Sequence, residues 1–260
     1  MLIEIFDTHT HLDNEQFDND RNEVIKRAQD ASVNRILTVG AGNNLDSAVN
    51  AIELANSHDF IYASAGLHPH DADFDLNIKY LEELASNKKV VAIGETGLDF
   101  FRDWAPKDKQ HKAFEAQIEI AKNLNKPIII HSRDAGEECI KKLTDLKADT
   151  VGGVFHCYQE NAEFAKRLLD LNFYVSFPGT ITFKKAFELR ETVKEIPLTQ
   201  ILLETDAPYM APEPSRGKRC ETGFTRLVAE KMAEIKEINL TEVAKITTEN
   251  ALKLFKINDL

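Results

Sequence analysis

A long apolar run and a disulfide framework are both missing from this sequence of 260 residues. No run approaches the roughly 18 consecutive apolar residues of a membrane helix. The N-terminus has no basic segment followed by an apolar one, so no signal peptide is expected. Cysteine is scarce: Cys139, Cys157 and Cys220 are odd in number, widely spaced and form no C-x-x-C pair. That argues against both a disulfide framework and a structural zinc knuckle, suits a reducing compartment, and places the protein in the cytoplasm. Positive charge is in deficit as well, with 32 Lys and Arg against 43 Asp and Glu and a formal net charge of −11. Proteins that grip nucleic acid over a broad surface are usually basic, because phosphate neutralisation dominates their affinity. A global grip of that kind is excluded here. A confined site that handles one strand end, using local positive charge or metal ions, is not.

What is present is a regular alternation. Apolar, β-branched runs predict strands near Ile3–Asp7, Arg35–Val39, Ile61–Ala65, Val90–Gly94, Ile128–His131, Gly153–His156, Tyr174–Ser176 and Ile201–Glu204. Between them lie amphipathic patterns that predict helices at Glu15–Ala31, Leu45–Asn56, Asn77–Ala85, Lys107–Asn125, Asp134–Lys147, Asn161–Leu171 and Lys184–Lys194. Phe224–Ile235 and Thr241–Phe255 follow the eighth strand. Eight β/α units in about 250 residues match one closed (β/α)8 TIM barrel, an α/β fold. An open doubly wound sheet would alternate in the same way, but no glycine-rich strand-to-helix turn of the dinucleotide type occurs, and the barrel is preferred. No linker-like shift in composition divides the chain, so residues 1–260 are read as one domain.

The chemistry-bearing residues follow the strands. Six of the eight histidines (His9, His11, His68, His70, His131 and His156) sit at or just after a predicted strand's C-terminal end; His58 and His111 do not. In a barrel all those ends open on one face, where the active sites of this fold lie. Glu95 and Asp99 follow the fourth strand, and Glu204 and Asp206 end the eighth. One at a time these residues have plain explanations: a hydrogen-bonded structural histidine, a turn residue at His70, a cap at Asp99, a buried supporting acid at Glu204. Together, His9, His11, Glu95, His131, His156 and Asp206 offer six N/O ligands from five strand ends. That is too many for one tetrahedral zinc and suits two divalent metals bridged by a carboxylate. In "DTHTHLD", strand alternation puts Ile3 and Ile5 on the same face as Asp7, His9 and His11. The isoleucines would then fill the barrel interior below, with Asp7 just beneath the metal as an acid orienting an imidazole.

The ordered motifs "DTHTHLD" (7–13), "GLHPH" (66–70), "GETGLDF" (94–100), "IHSRD" (130–134), "HCY" (156–158) and "ETDAPY" (204–209) resemble the TatD family of metal-dependent deoxyribonucleases, amidohydrolase-like barrels. The resemblance implies that His9 and His11 bind one metal, His131 and His156 the second, and Glu95 bridges them. Asp206 would complete the first metal's ligands and contact the attacking water, so that Glu95 and Asp206 are the catalytic acids. His68 and Arg133 would hold the scissile phosphate. In "PSRGKRCETGF", Cys220 and Thr222 stand where the family's R-G-K-x-N-E-P stretch has Asn and Pro, which puts the substrate-side loop in doubt. The family is described as magnesium-dependent; Mg²⁺ or Mn²⁺ is expected to support activity, and the imidazole-rich set also suits Zn²⁺.

Arg216, Lys218 and Arg219 form a short basic cluster after strand eight, either a substrate contact or a solvated loop. Phe100, Phe101 and Trp104 follow Glu95 and would either stack on an end base or pack under a loop. The leading expectation is a 3′→5′ exonuclease on single-stranded DNA, extending to RNA, with nucleic acid ends as its partner and no membrane or obligate protein partner. The alternative is an ester or amide hydrolase such as a D-aminoacyl-tRNA deacylase. Many amidohydrolase barrels bridge their metals with a carboxylated lysine; Glu95 in that role favours phosphoesters. A metal-binding scaffold is a third class, which no tail or low-complexity arm supports.

Overall fold

The computed structural model describes residues 3–42, 45–73, 76–102 and 104–258. Its strands are β1 (Ile5–Thr10), β2 (Val33–Ala41), β3 (Ile61–Gly66), β4 (Val90–Asp99), β5 (Ile128–Arg133), β6 (Gly153–Phe155), β7 (Phe173–Phe177) and β8 (Ile201–Leu203). They pair in parallel in chain order, β1 to β8. A parallel bridge from Thr10 to Ala207 brings the segment after β8 beside β1 and nearly closes the barrel. Helices α1 (Arg21–Asp30), α2 (Asp46–Asn56), α3 (Ile78–Ala85), α4 (Lys107–Leu124), α5 (Gly136–Asp145), α6 (Ala162–Asp170) and α7 (Phe187–Glu195) each follow one strand, and α8 (Thr225–Lys236) and α9 (Leu240–Leu254) follow β8. Local chemistry sets their ends. The Asn77, Asn161 and Asn239 side chains accept the N–H of Tyr80, Phe164 and Glu242, capping α3, α6 and α9. Asn125 ends α4 in the left-handed region, two residues before Pro127.

Two apolar layers hold the barrel. Phe6, Leu37, Ala92, Ile129, Val154 and Leu202 cluster although they come from six strands, so they fill the interior, with Leu254 and Phe255 at the end of α9 sealing it. Ile5, Ile36, Ile93 and Ile128 instead pack outward against helix residues such as Ile25, Ile118 and Val228. Ile5 therefore does not line the interior; Phe6 does. The reason is a bulge. Pairing advances from Asp7↔Ile36 to Thr10↔Thr38, three residues along β1 against two along β2. The extra residue reverses the alternation. Ile5 and Asp7 face the helices, while His9 and His11 face the mouth.

Strand β4 repeats the device and extends to Asp99, beyond the expected end at Gly94. Its pairing advances from Ile93↔Ile128 to Thr96↔Ile130, again three residues against two, which places Glu95 inside the strand. Glycine is required just beyond the bulge: Gly97, paired with His131, has φ +139°, and a Cβ on it would lie 2.1 Å from the His131 carbonyl oxygen. The first helix is shorter than the expected Glu15–Ala31. A 3-10 turn at Glu15–Phe17 precedes it, and α1 starts only at Arg21, whose guanidinium donates to the carbonyls of Leu12, Asp13 and Asn14. Those loop carbonyls need donors that a continuous helix would not supply.

Candidate metal centre

Each of the six expected ligands reaches one site at the C-terminal mouth. Glu95, buried on β4, is its centre, and its two oxygens face different imidazoles. Oε1 lies 2.8 Å from His131 Nδ1 and 2.7 Å from His156 Nε2. Oε2 lies 3.3 Å from His9 Nε2 and 3.9 Å from His11 Nε2. Asp206 Oδ1 closes the second group, 3.5 Å from His11 Nε2 and 3.8 Å from His9 Nε2. The rings of His9 and His156 stack at 3.9 Å. Barrel closure sets Asp206, since its N–H donates to the His9 carbonyl at 2.9 Å.

The donor set fits cations. His9 and His156 are buried; their Nε2 atoms face Glu95 without forming a well-aligned hydrogen bond, and their Nδ1 atoms have no hydrogen-bond partner among the described residues. Buried polar atoms are normally satisfied, so poorly satisfied imidazoles packed on a buried carboxylate suit ions. The groups His9–His11–Asp206 and His9–Glu95–His156 bring their ligand atoms close enough to share one. Burial and the neighbouring His156 push His9 down to about 4, leaving it neutral with lone pairs free. Burial opposes protonation of His11 and His131 too, but Asp206 at the first, and Asp99 with Glu95 at the second, outweigh it and raise both to about 9. Burial would raise Glu95, yet His156, His68 and His131 hold it well below the carboxylate range. His11 Nδ1 lies 3.2 Å from the Val39 carbonyl, which can only accept; its proton sits there and Nε2 faces the acids.

His68 differs. Its Nδ1 accepts the His70 N–H at 3.1 Å, so in the neutral ring the proton is on Nε2, 3.3 Å from Glu95 Oε1. Burial lowers this histidine to about 4. It is therefore a neutral donor at the mouth, suited to an anionic oxygen. Arg133 is exposed on the end of β5, its guanidinium 3.8 Å above the Phe101 ring. His68, Arg133, His11, Glu95, His131, His156 and Asp206 line one cavity of about 1690 Å³, and His9 is buried beside Glu95.

Other residues depart from expectation. Asp7 does not orient an imidazole: it accepts from the Thr205 N–H and hydroxyl, the Thr222 hydroxyl and, at 3.4 Å, the His9 N–H. Burial raises it to about 7. Thr222 and Cys220 are both fully buried and do not line the cavity; Thr222 braces β1 through Asp7, and Cys220 packs with Phe17, Val24 and Ala207. Arg219 is engaged with Asp20 and Glu221, leaving Arg216 as the loop's guanidinium on the cavity. Glu204 is buried as expected, accepting the Cys157 N–H at 2.6 Å and the Ser176 hydroxyl. Asp99 and His70 carry more than a cap and a turn. Asp99 Oδ1 does accept the N–H of Phe101 and Arg102, but Oδ2 takes His131 Nε2 at 3.0 Å and His70 Nε2 at 2.7 Å. The available signal was spacing: Glu95, Gly97 and Asp99 alternate along one strand face.

A nearly closed (β/α)8 barrel with imidazoles and carboxylates gathered at its strand ends defines the class of metal-dependent hydrolases. Within it the chain belongs to the TatD family: the family model described as TatD related DNase matches residues 6–256. It is 48% identical over 98% of its length to all of a Bacillus subtilis protein named uncharacterized metal-dependent hydrolase YabD. It is 35% identical, over 98% of its length and 99% of the other, to a Rahnella protein named 3′-5′ ssDNA/RNA exonuclease TatD. The crystal structure of YJJV, a TatD homolog from Escherichia coli K12, superposes with a TM-score of 0.92 at 28% identity, covering 99% of this chain and 100% of that one.

Proposed function

We propose that the protein hydrolyses phosphodiester bonds at the 3′ end of single-stranded DNA, and of RNA, with two divalent ions bound at Glu95. The observation that carries this reading is the division of Glu95, Oε2 toward His9 and His11 and Oε1 toward His131 and His156. His9, His11 and Asp206 would hold one ion, His131 and His156 the other. Bound ions there supply positive charge to an anionic ester and acidify water. The chain's own groups do the rest. Asp206, at the edge of the cavity, orients the attacking water and accepts its proton. The His68 Nε2–H and the Arg133 guanidinium bind the phosphate oxygens, drawing the ester against a field that the net charge of −11 would otherwise oppose. Its setting is the cytoplasm, in keeping with three free thiols.

The test is release of nucleotides from 3′-labelled single strands by the protein with Mg²⁺ or Mn²⁺, beside a D-aminoacyl ester. Turnover of the strand and not the ester is expected. Glu95→Ala should lose bound metal and slow turnover roughly a hundredfold or more. No release from any strand, or faster turnover of the ester, rejects the nuclease reading.

A further inference from the structure

One corner of the cavity is aromatic and exposed. Trp104 is 63% and Phe101 54% accessible, among the largest exposed apolar side chains of the described residues. Both line the cavity that holds the metal centre, together with Arg102 and Arg133. The Arg133 guanidinium lies 3.8 Å from the Phe101 centroid, and that of Arg102 lies 5.5 Å from Phe101 and 5.3 Å from Trp104. Among the described residues neither arginine has an ion-pair partner. Phe100, by contrast, packs against the core with Lys107 over its ring.

The turn carrying these rings is held firmly. Asp99 Oδ1 accepts the N–H of Phe101 at 3.0 Å and of Arg102 at 2.8 Å. The buried Gln110 side chain accepts the Asp99 N–H and donates to the carbonyls of Asp99 and Ala105, clamping both ends of the turn. Phe101 is thus exposed on a hydrogen-bonded turn, and Trp104 is exposed next to Ala105, whose carbonyl Gln110 holds. The other oxygen of Asp99 meets His131 and His70, and the His70 ring lies 4.4 Å from Trp104 in an edge-on contact. One carboxylate therefore ties the rings to the metal centre.

We infer that Trp104 and Phe101, flanked by Arg102 and Arg133, form a base-stacking site for an unpaired nucleic acid strand whose phosphate lies at Glu95. Aromatic faces beside unpaired guanidiniums suit a ligand that alternates flat rings with negative charge, as an unpaired nucleic acid strand does. Stacking requires an unpaired base, so this site selects single strands over duplex. The inference rests on the phosphodiester reading of the metal centre.

Trp104 is the chain's one tryptophan, so its fluorescence reports the site directly. Full-length protein in chelator is titrated with a short oligothymidylate and with an abasic oligomer of equal length. The oligothymidylate should quench emission by more than half, and the abasic oligomer should leave it within a tenth. With Mg²⁺, Trp104→Ala should lower the ratio of kcat/KM for the oligonucleotide to that for a diester without bases roughly tenfold, chiefly through KM, and Trp104→Phe should restore most of it. An unchanged ratio overturns the site whatever the fluorescence shows. If the wild type cleaves no strand, the phosphodiester reading fails on that ground and quenching alone decides: selective quenching upholds base stacking, and equal quenching by both oligomers overturns it.

Discussion

At the scale of the residue, the candidate centre is a problem in protons and tautomers. Asp99 takes the Nε2–H of His131, so that the Nδ1 lone pair of that ring is aimed at the Glu95 side. A carboxylate behind a ligating imidazole fixes the ring's orientation and raises its basicity. Asp99→Asn keeps the size and removes the acceptor charge. Titration calorimetry on metal-depleted protein should show affinity at the His131 position lowered roughly 10- to 100-fold, with the His9–His11 position little changed. Equal affinities at both positions would remove any role for Asp99 in holding the ring. His9, His11, His131, His156 and Asp206 were legible because each ends an apolar run. Asp99 was not, since its second oxygen reaches His131 on β5 and His70 in the turn after β3.

At the scale of the element, two bulges do what regular strands cannot. A strand of strict alternation would carry the face of Ile5 up to His9, and the imidazoles would point at the helices. The extra residue in β1 turns them inward, and the one in β4 does the same around Glu95. Gly94, inside the second bulge, has φ +137° with the Ile129 carbonyl close by, and just beyond it Gly97 has φ +139° with the His131 carbonyl against its Cα. Gly97→Ala should cost roughly 3 kcal/mol or more, read as a lowered urea midpoint at constant slope. Gly217→Ala, also at positive φ but with open space around it, should cost only about 1 kcal/mol. Similar losses for the two would mean that backbone conformation, and not the close approach to β5, decides.

At the scale of the whole molecule, the segment after β8 must be tied back to the start of the chain. Arg219 reaches Asp20 and the carbonyl of Gln16, and Arg27 on α1 reaches Glu221. The hydrogen bond from Arg219, reinforced by Arg27, holds Asp20 down to about 2 from an ordinary 3.8. A depressed carboxylate stabilises the fold where its unfolded counterpart would also be ionised. The contribution is complete above about pH 4 and vanishes as the pH falls through about 2. Arg219→Ala should therefore be less stable than wild type at pH 7, with the gap closing between pH 4 and 2 in urea melts taken across that range. A gap independent of pH would mean that Arg219 acts by packing on Phe17, 4.8 Å from its guanidinium.

The sequence by itself determined the alternation of eight strands with helices, the barrel, and Glu95 with the five residues that gather around it. Hydrophobic periodicity and chemistry at the ends of apolar runs are local properties, and the fold carries all such ends to one face. Only the tertiary structure decided which way β1 faces. It also placed Thr222 behind Asp7, engaged Arg219, and joined Asp99 to His131 and His70. Each of these depends on register or on partners distant in the chain; Thr222 lies 215 residues from Asp7. "DTHTHLD" announces a metal ligand, but the bulge within it, set by pairing with β2, is what turns the imidazoles toward Glu95.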